Sequence, residues 1–238
     1  MEDKSQYKRI LFKVSGEAMM GNKAFGHDKE AIEKICDQIT EVYNLGYEIC
    51  IVVGGGNIFR GISAASEGME RASADYMGML ATSINSMALQ NILEKNSIPT
   101  RIQSAIPMNT ICETYAKRKA VRHLEKKRVV IFAAGTGNPF FTTDTAAILR
   151  AIETNCDAVF KGTQVDGVYS SDPKKNKEAT RFDQLTYNDV IKKDLKVMDQ
   201  TAITLAKDNN LPIIVFSIST PSALKKVLSG DLNFTIIK

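Results

Sequence analysis

Arg128-Val129-Val130-Ile131-Phe132-Ala133-Ala134 runs into Gly135-Thr136-Gly137-Asn138-Pro139-Phe140-Phe141-Thr142-Thr143, and Asp144 opens a helical pattern directly afterwards. An apolar strand, a loop and a helix in that order are the repeating unit of an α/β sheet. Such a loop usually takes about 2–6 residues, and this one is longer and unusual in content. Gly135 and Gly137 let backbone come close to a ligand, Pro139 stiffens the middle, and Phe140 and Phe141 stand among hydroxyls. Two exposed rings on a loop tip are costly unless they pack on the core or on a planar ligand. The loop is therefore either anchored in the core or forms a pocket wall that encloses a base, with threonine hydroxyls and backbone groups reading its edge.

Outward from this loop, strands and helices alternate. Residues 10–14 read as a strand ending at Ser15-Gly16, and Asp28 caps a helix with Ile32, Ile35, Ile39 and Val42 on its apolar face and Gly46 at its end. Residues 48–53 form a second strand that enters Gly54-Gly55-Gly56-Asn57. A long helix over 72–95 carries Met77, Leu80, Ile84, Met87 and Ala88, enough for a core face and a subunit contact. A short strand at 99–104, a basic helix at 115–127 and the strand at 129–134 precede the helix at 144–154 and a strand at 158–161. Residues 162–173 read as a turn-rich hairpin, with Asp166-Gly167 as turn and Val168-Tyr169 as returning strand. A strand at 211–217, a helix capped by Thr220-Pro221 and ended by Gly230, and a strand at 234–237 complete the chain. The fold expected is α/β: one domain over residues 1–238, with a mostly parallel central sheet sandwiched by helices.

Composition narrows the function. The chain has 238 residues, 44% of them hydrophobic, and a formal charge of +4 from 31 Lys+Arg against 27 Asp+Glu. That excess suits anionic small molecules and is too small to imply nucleic acid. The basic run Lys117-Arg118-Lys119 to Arg128 has no interleaved aromatic residues for stacking bases and reads as a solvated helix face. Cys36, Cys50, Cys112 and Cys156 show no CxxC spacing and fit reduced thiols in a cytoplasmic protein. His27 and His123 cannot build a metal site by themselves. The charged start and the short apolar runs fit neither a secretory signal nor a membrane span.

Ligands of such sheets gather at the carboxyl ends of strands. Lys13-Val14-Ser15-Gly16 places a cation and a small turn there, Gly54 to Asn57 offers bare backbone N–H groups, and Arg60 stands just beyond. Lys161 is a further strand-end cation, and Asp144 is placed to orient lysines or a metal ion, or simply to cap its helix. Cations and donors of this kind are what phosphoryl transfer needs, since it depends mostly on positioning and charge stabilisation. No GxxxxGK[ST] sequence is present, which excludes a P-loop enzyme, and no GxGxxG is present, which argues against a dinucleotide site.

Four segments in this order resemble the amino acid kinase family: Lys13-Val14-Ser15-Gly16-Glu17; Gly54-Gly55-Gly56-Asn57-Ile58-Phe59-Arg60-Gly61; Gly135 to Asp144; and Lys161-Gly162-Thr163-Gln164-Val165-Asp166-Gly167-Val168-Tyr169. Within the family the likeness is to the bacterial branch that phosphorylates UMP. Thr-Gly-Asn-Pro-Phe-Phe-Thr-Thr-Asp is its most specific phrase, supported by Met77 to Thr82 and by Lys196-Val197-Met198-Asp199. The resemblance implies ATP + UMP giving UDP + ADP in pyrimidine nucleotide synthesis, with Mg²⁺ carried as Mg–ATP and no dedicated metal cage.

It places Lys13, Val14, Ser15, Gly16, Gly56 and Arg60 around the ATP phosphates, and Thr163, Tyr169 and Asp172 at the adenosine end. It assigns Gly55, Asp75 and Thr136, Gly137, Asn138, Pro139, Phe140, Phe141, Thr142 and Thr143 to UMP, with Asp75 on the ribose. Lys13, Arg60, Asp144 and Lys161 are the expected catalytic set, Lys161 on its strand-end position alone. The acceptor half would cover roughly 7–157 and the ATP half roughly 158–238. Gln164 replaces the Asn or Lys expected there, and Gly21-Asn22-Lys23-Ala24-Phe25-Gly26 matches a segment linked to GTP activation in some members. A homohexamer, UTP inhibition, and no nucleic-acid or membrane partner complete the implied picture. Two alternatives stand beside it. A carboxylate kinase resembling acetylglutamate kinase is disfavoured by the Phe-Phe-Thr-Thr loop. A non-catalytic binding protein resembling molybdate-storage relatives is disfavoured by Lys13, Arg60 and Asp144 occurring together.

Overall fold

The computed structural model describes residues 7–59 and 68–238. Arg60, with the rest of 60–67, lies outside the described residues, so its expected role has no structural counterpart below. The elements are β1 (Arg9–Val14), α1 (Lys29–Asn44), β2 (Glu48–Val53), α2 (Arg71–Lys95), β3 (Thr100–Ser104), β4 (Glu113–Thr114), α3 (Lys117–Glu125), β5 (Val129–Ala133), α4 (Thr143–Glu153) and β6 (Ala158–Thr163). They continue with β7 (Val168–Tyr169), β8 (Arg181–Phe182), β9 (Gln184–Leu185), α5 (Tyr187–Lys192), α6 (Gln200–Asp208), β10 (Ile213–Ser217), α7 (Ala223–Ser229) and β11 (Phe234–Ile237).

Nine strands form one sheet in the order β4-β3-β5-β2-β1-β6-β10-β11-β9. Its pairings are parallel except β10 with β11. Every residue of β2 is buried, as are the last five of β1, which is why these strands read as continuous apolar runs rather than alternating ones. Phe12, Ile51, Ile131, Phe160 and Phe216 face α1, α2 and α7 on one side. Leu11, Val52, Phe132, Val159 and Val215 face α3, α4, α5 and α6 on the other. A mostly parallel sheet covered by helices on both faces is thus what the sequence led us to expect.

Three expectations need correction, and one unassigned stretch proves helical. Residues 162–173 do not form a hairpin with β6. Both edges of β6 are already occupied, by β1 and by β10, so β7 instead pairs antiparallel with β8. Met77, Leu80, Ile84 and Met87 on α2 are exposed, and the buried face carries Met79, Leu89 and Leu93, with Ala74, Ala81, Thr82, Ser83, Asn85 and Ser86 where it passes the glycine turn. Small residues are required there because the helix lies against the glycine turn: a Cβ on Gly55 would sit 2.8 Å from Gly78 O and 2.9 Å from Ala81 Cβ. Thr220-Pro221 does not cap α7; the helix starts at Ala223 behind Ser222, whose φ of 57° is left-handed, while Gly230 ends it as expected. Finally, α5 and α6 lie in a stretch that the apolar pattern left unassigned; capping does mark them, by the Thr186–Asp189 box and by Asp199. The four cysteines are free, three of them buried.

Candidate active site

The centre of the site follows from strand register. Lys13 on β1 pairs with Lys161 on β6, so the two side chains stand on the same face of adjacent strands, the face that α4 covers. Two neighbouring ammonium groups in a buried position repel unless an anion lies between them. Asp144, in the first turn of α4, is that anion: Oδ1 is 2.7 Å from Lys13 Nζ and Oδ2 is 2.8 Å from Lys161 Nζ. The side chains of Lys13, Asp144 and Lys161 are 9%, 15% and 13% exposed. Burial alone would raise the Asp144 carboxyl, but the two lysines outweigh it and hold the group below the ordinary carboxylate value. Burial pulls Lys161 below the ordinary lysine value, and Lys13 adds to that fall against the opposing attraction of Asp144. Asp199 adds a smaller attraction for Lys161.

Asp144 is not the helix cap. Thr142 takes that role, its Oγ1 accepting from Asp144 N at 3.0 Å and Thr145 N at 3.4 Å. Thr142 is anchored in turn by Asp199, whose Oδ2 accepts from Thr142 Oγ1 at 2.5 Å and whose Oδ1 accepts from Thr145 Oγ1 at 2.9 Å. Asp199 also caps α6 by accepting from Ala202 N at 2.9 Å. Sequence reasoning quoted Asp199 without giving it a role. The signal present was an aspartate immediately ahead of a helical run, and what it grips could come only from the tertiary fold.

Two glycine turns meet beside this centre. A Cβ on Gly16 would lie 2.5 Å from Asn57 Oδ1 and 2.8 Å from Gly54 O, so only glycine admits this contact. Ser15 accepts from Ala18 N at 3.3 Å and starts a short 3₁₀ turn, Gly16–Met19. The segment 21–26 is not remote from this point: Gly26 N donates to Asn57 O at 2.6 Å.

On one side a cleft is lined by Gly55, Asp75, Thr136, Asn138, Phe141, Thr142 and Thr143, together with Phe59, Arg71, Gly78, Met79, Thr82 and Gly135. Phe140 and Phe141 are 69% and 48% exposed, so the loop is not anchored in the core through its rings. It is held by its backbone instead. Asp75 accepts from Phe140 N at 2.8 Å and pairs with Arg71 Nε at 2.9 Å, while Thr136 Oγ1 accepts from Asn138 N at 3.2 Å. On the other side a cavity of about 670 Å³ has Lys161, Thr163, Tyr169, Asp172 and Val215 among its lining residues. Tyr169 Oη donates to Asp166 Oδ1 at 2.5 Å, and Gln164 is exposed outside this lining. Lys161 lines the second cavity, Thr143 lines the first, and Asp144, next to Thr143, joins the two. Among the described residues no three His, Cys, Asp or Glu converge as a metal cage, and no helix is long and apolar enough to cross a membrane.

Known proteins share this architecture. Uridylate kinase of Wolbachia sp. subsp. Brugia malayi (strain TRS) is 61% identical over 234 residues, covering 98% of this chain and 95% of that protein. Uridylate kinase of Paramagnetospirillum magneticum is 57% identical over 237 residues, covering 100% and 99%. The crystal structure of UMP kinase from Bacillus anthracis superposes with a TM-score of 0.94 at 42% identity, covering 98% of this chain and 96% of that one. The model of the amino acid kinase family matches residues 8–217. Those residues include the paired lysines, their shared aspartate and both flanking cavities, and the chain belongs to the amino acid kinase family.

Proposed function

We propose that this chain is a kinase that transfers the γ-phosphoryl group of ATP to UMP, giving UDP and ADP for pyrimidine nucleotide synthesis. The observation that carries the reading is the Lys13–Asp144–Lys161 group set between a nucleotide-sized cavity and a second cleft walled by the Phe140–Phe141 loop. A phosphate monoester is largely ionised at pH 7, because its second pKa is about 6. An oxygen of the UMP phosphate therefore attacks Pγ without a general base, and the bond from Pγ to the β–γ bridging oxygen breaks as ADP leaves. The need is for cations to bring two anions together and to stabilise charge on the transferring group. Lys13 and Lys161 supply them, Asp144 aims them, and Gly16, Gly55 and Gly56 present backbone donors, with Val14, Ser15 and Arg60 completing the phosphate side. Thr163, Tyr169 and Asp172 take the adenosine end. Asp75 takes the UMP ribose, and Thr136 to Thr143 enclose its base.

Mg²⁺ fits this set as the Mg–ATP complex. Both oxygens of Asp144 face ammonium groups, so its ligands would come mainly from phosphates and water, with Asp144 as the nearby carboxylate. When bound it would neutralise charge on the phosphates. We assign residues 1–238 to one kinase domain, with an acceptor half over roughly 7–157 and an ATP half over roughly 158–238, working in the cytoplasm. GTP activation through 21–26 and UTP inhibition belong to the same proposal. A coupled ADP-release assay with UMP, CMP and acetylglutamate tests it: ADP release with acetylglutamate but not UMP would overturn it.

UMP should be strongly preferred over CMP. Uracil offers an N3–H donor where cytosine has an acceptor, so a buried edge-reading loop left unpaired loses on the order of 1–3 kcal/mol per mismatch. Equal kcat/KM for the two nucleotides would refute this role for Thr136 to Thr143.

The protein should also assemble with itself, as a homohexamer. Met77, Leu80, Ile84 and Met87 form an apolar stripe along α2, each 42–50% exposed, so that a contact burying them would gain part of the roughly 1.5–3 kcal/mol that full burial of such a side chain is worth. Light scattering at micromolar concentration is expected to give a multiple of the 26.2 kDa chain mass. A monomer would exclude the stripe as a subunit contact.

A further inference from the structure

We infer that Asn85, a fully buried residue in the middle of α2, is a positioning residue that aims the Gly55 N–H at the transferring phosphoryl group; this rests on the kinase reading above. The orientation of its amide is fixed by its neighbours. Gly54 O and Gly26 O can only accept, so the nitrogens facing them must be Asn85 Nδ2, at 2.6 Å, and Asn57 Nδ2, at 2.9 Å. The two amides then bond reciprocally: Asn85 Nδ2 donates to Asn57 Oδ1 at 2.7 Å, and Asn57 Nδ2 donates to Asn85 Oδ1 at 3.1 Å. The second lone pair of Asn85 Oδ1 faces His27 Nε2 at 2.6 Å, which makes that nitrogen the one carrying the proton. Asn85 is 0% exposed and Asn57 2%, and the side-chain amide of Asn85 satisfies both its donors and both its acceptor sites.

Such a network stabilises a fold, but its anchor point gives it a second consequence. The peptide between Gly54 and Gly55 is trans and planar, so its N–H points opposite to its C=O. Holding Gly54 O against α2 therefore turns the Gly55 N–H away from Asn85. Gly55 lines the cleft, and among the described residues no group accepts from its N–H. The flanking peptides are held by Gly54 N donating to Val14 O at 2.9 Å and by Ile58 N and Phe59 N donating to Gly55 O at 3.0 and 2.9 Å, but three consecutive glycines add no side-chain restraint to the peptide between them. Asn85 supplies the missing restraint, and Asn57 completes it by tying the end of the same turn to the segment that ends at Gly26.

The test compares Asn85→Ala and Asn85→Ser with Gln38→Ala. Gln38 is another buried amide, bonded to Ile218 O and Leu224 N between α1 and α7 and away from the cleft. Steady-state kinetics with Mg–ATP and UMP are read at a temperature where melting curves show each variant folded. Both Asn85 variants are expected to lose kcat by on the order of 10²-fold, the scale of a misplaced catalytic contact, with both KM values within about threefold of wild type. Gln38→Ala is expected to melt lower and to keep kcat. Asn85 variants that stay folded with wild-type kcat would overturn the inference, as would an equal kcat loss in Gln38→Ala. Failure of both Asn85 variants to fold would also overturn it by making the residue purely structural. Wild-type protein that releases no ADP with UMP would instead remove the kinase reading on which the inference stands.

Discussion

Lys13→Ala is expected to lower kcat by about 10²–10³-fold, the scale for deleting one preorganised charge stabiliser. Lys13 is nearly buried at the carboxyl end of a central strand, in register with Lys161 and 2.7 Å from Asp144. A lysine kept there for solubility would point to solvent, and this one does not. Its loss has two effects that must be separated. It removes a cation from the phosphate path, and it leaves Asp144 with Lys161 as its remaining lysine partner. Breaking a buried pair in this way costs roughly 3–5 kcal/mol of stability, so kcat must be measured on protein shown to be folded. A folded Lys13→Ala with wild-type kcat would assign the residue to the fold alone. The expected loss in kcat with UMP still bound would place Lys13 on the transferring group.

Much of this site was legible in the sequence because strand ends are legible. Continuous apolar runs located β1, β2, β5 and β6, and the residues closing them, Lys13, Gly54, Gly135 and Lys161, had to share one edge of a parallel sheet. The adjacency of Lys13 and Lys161 was not legible. It depends on β6 inserting beside β1, an order that no local pattern encodes. Asp144 was found with its cap role left open, since only the bonds of Thr142 show which residue caps α4. The buried face of α2 was misread for a physical reason as well. Hydrophobic periodicity finds faces that bury large side chains, which here means Leu89 and Leu93 further along the helix, whereas the part beside the glycine turn buries mostly small and polar ones so that the turn can approach. Asn85 escaped for the same reason: a polar residue inside a helix carries no sign of the carbonyl it holds.

Neutralising Asp75 and Asp144 should give opposite kinetic signatures. Asp75 accepts from the Phe140 N–H and pairs with Arg71 at the mouth of the acceptor cleft. Its proposed bonds to the ribose exist in ground state and transition state alike, so Asp75→Asn should mainly raise KM for UMP. Loosening of the Phe140 loop adds to that effect in the same direction. Asp144 holds two ammonium groups, of which Lys161 is also bonded to the Val197 carbonyl and attracted by Asp199. Asparagine at 144 keeps the size and loses the charge, and a capping role cannot excuse it because Thr142 is the cap. Asp144→Asn should therefore lower kcat by on the order of 10²-fold while UMP still binds. The variant should also acquire a pH dependence. Lys161 already sits below the ordinary lysine value through burial, and removing the attraction of Asp144 lowers it further. Its charge is present below that pKa and is lost as pH rises through it, so the residual kcat of Asp144→Asn should fall with increasing pH before that of wild type. Steady-state kinetics across pH with UMP titrations on both variants decide the matter. Wild-type kcat in Asp144→Asn would remove Asp144 from the catalytic group, and a kcat loss in Asp75→Asn with unchanged KM would exchange the two roles.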